Sequence, residues 1–395
     1  MGVCRAVTRW GSYVVSGVVV LSVGLTSCAP KPVLPVLDDV PGVAAGQVVR
    51  VDRLGNGAVR RGWRLTYRSL DGQNAHQLVR VSAQVFLPSG KAPQGGWPVL
   101  AWAHGARGLS LTCAPSIMGE GTSEQAFFEA WLRRGYAIIA TDYQGLGEPG
   151  QVLFMNARSE GMNVLDAVRA ARVQFSQLSS TVIVYGHSQG AQAALAAAGM
   201  AASYAPGLAI RGVIAAAPPF LDQLGLQQRL HSDGTGNGTS SLPVMMSLVQ
   251  SAADAGEDMQ GVYTAKAKRF SVQARSLCIE DFAPKVHKQG LKPETVFAAG
   301  AAKKLAFLAQ TWTAYPSFSL PVPVLIGTGL DDHHNTALEQ DRLVRALCHA
   351  GSIVQQEHFP GANHFSTLRD VQHDAMHFAD SVRLGRVPQN TCPAL

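Results

Sequence analysis

The sequence predicts an α/β protein with a mostly parallel, three-layer central sheet. Short apolar, β-branched runs of the kind that form buried parallel strands recur along the chain. Helix-like segments separate them, and strands that alternate with helices are typical of this architecture. The clearest unit is residues 182–198, where an apolar run leads through Gly186-His187-Ser188-Gln189-Gly190 into a stretch that is mostly alanine.

This unit predicts a nucleophilic serine. A strand, a Gly-x-Ser-x-Gly turn and a helix in succession form the nucleophile-elbow arrangement. The sharp turn strains the backbone of Ser188, and Gly186 and Gly190 remove side chains that would collide with the neighbouring strand and helix. An ordinary glycine-rich turn is the alternative, but the buried strand before it and the helix after it favour a catalytic hydroxyl.

Composition excludes a nucleic-acid partner and allows one large core with insertions. The chain has 395 residues, of which 47% are hydrophobic and 15% charged, and its formal net charge is +6. No basic run forms a nucleic-acid surface, so the positive charge is interpreted as a contribution to solubility.

Residues 1–27 have the pattern of an export signal. Arg5 and Arg9 form a positive region, and residues 13–25 form an apolar stretch too short to span a membrane comfortably. The small residues before Cys28 resemble the lipobox of bacterial lipoproteins, which implies cleavage before Cys28 and diacylation of its thiol.

The residue after Cys28 indicates where the lipid anchor would lie. Ala29 stands where an aspartate would resemble an inner-membrane retention signal, so an outer-membrane lipoprotein of the bacterial cell envelope is expected. The alternative is an ordinary signal peptide and a secreted or periplasmic protein. Residues 28–45 are proline-rich and predict a semi-rigid spacer between anchor and domain.

Export permits disulfides. Apart from the leader cysteines, four remain, Cys113, Cys278, Cys348 and Cys392, which allow three pairings. We favour Cys113–Cys278 and Cys348–Cys392, the second of which would tie the C-terminal tail to the helix before the last strand. Free buried thiols are the alternative, and no cysteine spacing resembles a zinc site.

The elements follow in order from hydrophobic pattern and turn signals. Strands are predicted at residues 79–87, 97–103, 136–141, 182–185, 211–217, 323–326 and 353–359. The first is expected to be antiparallel. Helices are predicted at residues 123–134, 159–173 and 191–198, and from about residues 336 and 366. The predicted core therefore comprises residues 46–219 and 319–395.

Residues 220–318 interrupt the alternation. They contain no clear buried strand, but helix-like segments at residues 221–230, 243–255 and 301–312 and a flexible loop at residues 232–238. About a hundred residues inserted after a strand, at the edge that carries the serine, predict a cap or lid domain. A helical insertion with no gating role is the alternative.

A serine hydroxyl needs a base, and the base needs an orienting carboxylate. In this arrangement they follow in the chain order serine, acid, histidine. His364 lies in a glycine-containing loop after the last strand and is the predicted base. The strand at residues 323–326 leads to Asp331 and Asp332, of which spacing from Gly329 favours Asp332 as the acid and leaves Asp331 as the alternative.

The oxyanion formed by serine attack needs fixed hydrogen-bond donors. The backbone N–H of Gln189, next to the nucleophile, is one candidate. The second is expected in the loop after the strand at residues 97–103, with Ala106 as first choice and Gly105 as second. Glu160 lies near a helix start, where a carboxylate is stabilised by the helix dipole, and no catalytic role is assigned to it.

Several motifs together resemble the secretory lipase branch of the α/β-hydrolases. They are His104-Gly-Ala-Arg-Gly, Cys113-Ala-Pro-Ser, Thr141-Asp-Tyr-Gln-Gly-Leu-Gly, Arg158-Ser-Glu-Gly and Gly361-Ala-Asn-His364. The resemblance runs from about residue 80 to the C-terminus and implies an α/β-hydrolase fold with a cap over the acyl site. It departs from the family pattern at Arg107, where small or hydroxyl residues are usual, and at the Asp-Asp-His-His run.

The resemblance implies a serine esterase or lipase that acts on small-molecule or lipid carboxylic esters through an acyl-enzyme intermediate. Ser188 would attack, His364 would carry the proton and Asp332 would orient His364, with no metal or other cofactor. Amide cleavage or acyl transfer on the same triad is the first alternative. A non-catalytic, membrane-tethered binding protein is the second.

Overall fold

A nine-stranded sheet organises the chain. The computed structural model describes residues 44–54, 62–231 and 237–393. The strands are β1 (Val48–Arg53), β2 (Gly62–Leu70), β3 (Leu78–Phe86), β4 (Trp97–Ala103), β5 (Ala137–Thr141), β6 (Leu178–His187), β7 (Ala209–Ala216), β8 (Val324–Gly329) and β9 (Val354–Phe359). They lie in the order β1-β2-β3-β5-β4-β6-β7-β8-β9.

Helices cover the sheet and fill the segment between β7 and β8. They are α1 (Pro115–Met118), α2 (Thr122–Arg133), α3 (Ala157–Gln174), α4 (Gln189–Tyr204), α5 (Gln223–Leu230), α6 (Asn237–Asp254), α7 (Ala265–Ser271), α8 (Ile279–Lys288), α9 (Pro293–Val296), α10 (Ala301–Thr311), α11 (Ala337–His349), α12 (Thr367–Asp370) and α13 (Gln372–Arg383). Strands β4 to β9 pair in parallel, whereas β1 to β3 are antiparallel and join the sheet through the β3–β5 pair. The predicted α/β fold with a mostly parallel sheet is confirmed.

Each of the seven predicted strands is present, but β1 and β2 were not predicted. The sequence of β2 lacks a clear hydrophobic pattern because this strand buries polar residues as well as apolar ones. Ser69 is fully buried and its hydroxyl donates to Asp166 at 2.8 Å, and Thr66 donates to Glu148 at 3.1 Å. A buried hydroxyl with a partner is tolerated inside a protein, so apolar content underestimates such a strand.

The described part of the segment between β7 and β8 contains helices α5 to α10. Its apolar side chains, Met246, Val249 and Phe282 among them, form a buried cluster around α6 that also includes Leu109 and residues 153–155. Helices α7 to α9 are short and were not predicted, because each offers less than three turns of hydrophobic periodicity. The cluster therefore packs the segment against the loops that follow β4 and β5.

Both favoured disulfides are present. Cys113–Cys278 joins the loop after β4 to the start of α8, and Cys348–Cys392 joins α11 to the C-terminal tail. Two closed loops of 165 and 44 residues restrict the unfolded chain and so stabilise the fold.

Some predictions fall on residues outside the described ranges. The export signal, Cys28 and most of the spacer at residues 28–45 lie there, as does most of the loop at residues 232–238. No helix among the described residues is long and apolar enough to cross a membrane.

Tight packing at the end of β6 sets the position of Ser188. A Cβ at Gly186 would overlap the backbone of Gly190, and a Cβ at Gly190 would overlap the carbonyl of Ala103 at the end of β4. Backbone atoms from β4, β6 and α4 therefore meet at van der Waals distance only because both positions lack a side chain.

Replacing Gly190 by alanine tests this packing. We expect Gly190→Ala to push α4 away from β4, to lower the melting temperature by several degrees and to displace Ser188, because backbone cannot yield as a side chain can. Gly207→Ala is the matched control, since its Cβ would enter open space. Equal melting temperatures of the two variants in differential scanning calorimetry would contradict the account.

Candidate active site

Ser188 occupies a strained turn between β6 and α4. Its backbone has φ 56° and ψ −123°, a conformation that residues with a side chain rarely adopt. The Ser188 N–H donates to the carbonyl of Ala216 on β7 at 2.9 Å, which holds the turn against the sheet. The side chain is thereby presented at the carboxyl edge of the parallel strands.

The structure brings the three predicted triad residues together. Ser188 Oγ lies 2.8 Å from His364 Nε2, and His364 Nδ1 lies 2.8 Å from Asp332 Oδ2. These residues are 176 and 32 positions apart in the chain, so the contacts result from the fold. The chain of hydrogen bonds has the geometry that general-base activation of a hydroxyl requires.

Asp332, and not its neighbour Asp331, faces the histidine. Asp332 is 2% exposed, and its Oδ1 accepts the backbone N–H groups of His334 and Asn335 at 2.8 and 2.9 Å. Burial alone would raise the Asp332 pKa, but the charge and hydrogen bond of His364 and the two N–H groups lower it below its ordinary value. Asp331 is exposed and its N–H donates to Ala362, as expected of a turn residue.

Two neutral imidazoles flank His364. His187 Nε2–H donates to the backbone carbonyl of His364 at 2.7 Å, and the His334 ring stacks on the His364 ring at 4.7 Å. Burial lowers the pKa of each flanking histidine to about 3. His187 therefore contributes to holding the loop that contains His364, a contact across 177 positions that local sequence patterns do not reveal.

The two expected oxyanion donors line the same cavity as Ser188. Ala106 and Gln189 both border it, whereas Gly105 does not. Neither the Ala106 N–H nor the Gln189 N–H donates to another described residue. Two unpaired N–H groups beside a hydroxyl are the arrangement that stabilises a negatively charged oxygen.

The oxyanion loop is tied to the helical segment by Arg107. Its carbonyl accepts the N–H of Ile279 at 2.9 Å, and its guanidinium forms ion pairs with Glu124 on α2 and, at 2.9 Å, with Glu280 on α8. The Cys113–Cys278 disulfide lies at the same junction. The arginine that departs from the family pattern at this position thus contacts protein carboxylates.

The cavity at Ser188 has a volume of about 30 Å3. Apolar residues of the helical segment, Leu221, Val244 and Met245, form part of its wall. Arg229 on α5 also borders it, is 3% exposed and pairs with both carboxylate oxygens of Glu339 at 2.8 Å. Sequence patterns offered no signal for Arg229, because a lone arginine on a helix is usually a solvated surface residue.

Asp332, His334 and His364 could be considered as metal ligands. Their donor atoms lie within 4.8 Å of one another. However, His364 Nδ1 and Asp332 Oδ2 already share a 2.8 Å hydrogen bond, which a bound ion at those atoms would have to break. Two of the three donors, those of Asp332 and His364, are therefore already used by the hydrogen-bonded chain to Ser188.

Residues 120–235 match the secretory lipase family. Lipase A of Moesziomyces aphidis is 29% identical over 43% of this chain and 38% of its own length. The secreted triacylglycerol lipase LIP5 of Malassezia furfur is 35% identical over 24% of this chain and 27% of its own. The chain thus aligns with well under half the length of these curated relatives.

Solved structures extend the comparison to the whole fold. Candida antarctica lipase A in its closed state superposes with a TM-score of 0.70 over 92% of this chain and 91% of that chain, at 21% identity. An identity this low shows the fold alone. Fold and family match together confirm the predicted resemblance: this chain has the α/β-hydrolase fold and resembles the secretory lipase branch.

Proposed function

We propose that this protein is a serine carboxylic-ester hydrolase, a lipase or esterase that works through an acyl-enzyme intermediate. The observation that carries the proposal is the hydrogen-bonded chain from Ser188 through His364 to Asp332, beside the two unpaired N–H groups of Ala106 and Gln189. The similarity to secretory lipases points to the same chemistry.

The geometry suggests a role for each residue. His364 Nε2 takes the proton of Ser188 as Oγ attacks the acyl carbon, and then gives it to the departing alcohol. Asp332 keeps the Nδ1 proton of His364 directed towards it and stabilises the imidazolium, while the Ala106 and Gln189 N–H groups stabilise the oxyanion. Water repeats the sequence on the acyl-enzyme and releases the acid.

Paired variants of the two adjacent aspartates test the triad. Ser188→Ala should abolish turnover of a p-nitrophenyl ester, and Asp332→Asn should lower kcat about a thousandfold or more because His364 loses its orienting charge. Asp331→Asn is the matched control and should retain wild-type kcat, since its side chain is exposed. A fully active Asp332→Asn variant, or Ser188→Ala with wild-type turnover, would exclude the mechanism.

The helices between β7 and β8 are proposed to act as a cap, with residues 220–318 as its extent. A cavity of about 30 Å3 is far smaller than the several hundred Å3 typical of ligand pockets, so an ester enters only if the wall moves. Leu221, Val244 and Met245 would then meet water, which disfavours opening in solution. An apolar surface that covers them favours the open state.

Micelles therefore should speed access to Ser188. We expect a fluorophosphonate probe to label Ser188 about tenfold faster when zwitterionic micelles are added, the change produced by about 1.4 kcal/mol in the closing equilibrium. The Ser188→Ala variant controls for labelling elsewhere. Equal labelling rates with and without micelles would argue that the wall does not gate the site.

We further propose that the protein is exported and anchored by lipid on Cys28. The positive and apolar regions of residues 1–27, and the small residues before Cys28, support this proposal. A single diacylglyceryl group, bonded to the Cys28 sulfur in place of the thiol proton, carries two acyl chains and would supply the double signal that stable membrane attachment requires.

Fractionation of a bacterial host that expresses the full chain tests the anchor. Cys28→Ser should move the protein from the membrane fraction to the soluble fraction, because no thiol remains to be acylated. Cys4→Ser, a second leader cysteine with no lipobox before it, should leave it with the membranes. A wild-type protein found in the soluble fraction would instead indicate an ordinary signal peptide.

A further inference from the structure

Glu160 joins the oxyanion residue Gln189 to helix α3. It lies in the first turn of α3 and is 1% exposed. Its Oε1 accepts the side-chain N–H of Gln189 at 2.6 Å and the backbone N–H of Met155 at 2.7 Å. One carboxyl oxygen thus fixes both the residue after the nucleophile and a residue that borders the Ser188 cavity.

The remaining oxygens of this pair are buried without partners. Neither Glu160 Oε2 nor Gln189 Oε1 has a hydrogen-bond partner among the described residues. These two oxygens belong to the Glu160 carboxyl group and the Gln189 amide group, which are already joined by the 2.6 Å hydrogen bond. Two acceptor oxygens left in a dry interior are costly, and a single proton between them would satisfy both.

We propose that Glu160 is a protonated positioning residue, whose Oε2–H donates to Gln189 Oε1 and so holds the Gln189 backbone N–H in the oxyanion hole. The carboxylic acid and the amide then form a closed pair of hydrogen bonds. The Gln189 side-chain Nε2–H donates to Glu160 Oε1, and the Glu160 Oε2–H donates to Gln189 Oε1. Exchanging the amide nitrogen and oxygen of Gln189 would not remove the difficulty, because the amide oxygen would then lie 2.6 Å from Glu160 Oε1. The inference rests on the proposed ester hydrolase, because it assigns a role within that site.

The surroundings of Glu160 favour the neutral acid. Burial raises its pKa to about 8, more than the hydrogen bonds from Gln189 and Met155 lower it. Burial raises the pKa of Tyr143, on the loop after β5, and a negative charge on Glu160 raises it further. From α4, Glu160 meets the uncharged Gln189. The helix-start stabilisation expected from the sequence is therefore outweighed by burial.

A charge at Glu160 would oppose the reaction in two ways. Deprotonation removes the hydrogen bond to Gln189 Oε1. One of the two hydrogen bonds that hold the Gln189 side chain, and through it the Gln189 backbone N–H, is then lost. Deprotonation also places a negative charge on a group hydrogen-bonded to Gln189, the residue whose backbone N–H is expected to stabilise the oxyanion, which raises the energy of the transition state. Because the acid is protonated below its pKa and charged above it, activity should fall as pH rises through about 8.

The test compares kcat across neutral and alkaline pH for wild type, Glu160→Gln and Glu160→Ala on a soluble p-nitrophenyl ester. Glutamine reproduces the protonated acid, because its amide N–H can donate to Gln189 Oε1. We expect Glu160→Ala to lower kcat about tenfold with little change in KM, since an oxyanion donor loses its support. Glu160→Gln should restore neutral-pH kcat and abolish the decline above about pH 8.

Asp166→Asn is the matched control. Asp166 lies on the same helix, is buried and has a pKa raised by burial to about 6, but its partners are Ser69, Tyr204 and Arg169. Its substitution should leave the alkaline decline unchanged, whereas a loss of the decline in Asp166→Asn would show that any buried carboxyl on α3 produces it and would overturn the proposal.

An infrared difference spectrum separates this proposal from the proposed function. At neutral pH, wild type should show a protonated-carboxyl band that Glu160→Gln lacks, whether or not the protein hydrolyses an ester. Absence of that band, or a Glu160→Gln variant as impaired as Glu160→Ala, would overturn the assignment. An active enzyme with an ionised Glu160 would contradict the Glu160 proposal and leave the hydrolase proposal intact. A protonated Glu160 in an inactive protein would contradict only the hydrolase proposal.

Discussion

The close approach of three backbone segments at Gly186 and Gly190 determines where Ser188 lies. The ends of β4 and β6 and the first turn of α4 pack so tightly that neither glycine tolerates a Cβ. This packing over-determines the strained conformation of Ser188, which a looser turn would release. Because the same first turn contains Gln189, one constraint orients both the hydroxyl and one of the two expected oxyanion donors.

The other site residues depend on the sheet more indirectly. Asp332 and His364 lie on loops after β8 and β9. The backbone N–H groups of His334 and Asn335 hold the first loop by donating to Asp332 Oδ1, and His187 holds the second by donating to the His364 carbonyl. The helical segment supports the remaining wall through Arg107, Arg229 and the Cys113–Cys278 disulfide. Residues of both the sheet core and the inserted helical segment therefore position the polar groups around the narrow cavity at Ser188.

Local patterns in the sequence were sufficient to predict the parallel strands and to select Ser188, Asp332 and His364, which the fold brings within hydrogen-bond distance, since buried runs and strand-end loops have residue signatures. They were insufficient where a role depends on distant partners. Glu160 was interpreted as a helix-start carboxylate, and no role was predicted for His187 or Arg229. Each of the three forms a hydrogen bond with a residue at least 29 positions away, which no local pattern reveals. Strand β2 was not predicted for the same reason, because its buried hydroxyl groups find their hydrogen-bond partners only in the folded chain.

The most direct test of the central claim is a crystal structure of the protein inactivated by an alkyl phosphonate ester. The account predicts a covalent bond from phosphorus to Ser188 Oγ, with the phosphoryl oxygen about 3 Å from the backbone nitrogens of Gln189 and Ala106 and His364 still bonded to Asp332. An adduct on another residue, or a phosphoryl oxygen directed away from both nitrogens, would contradict it.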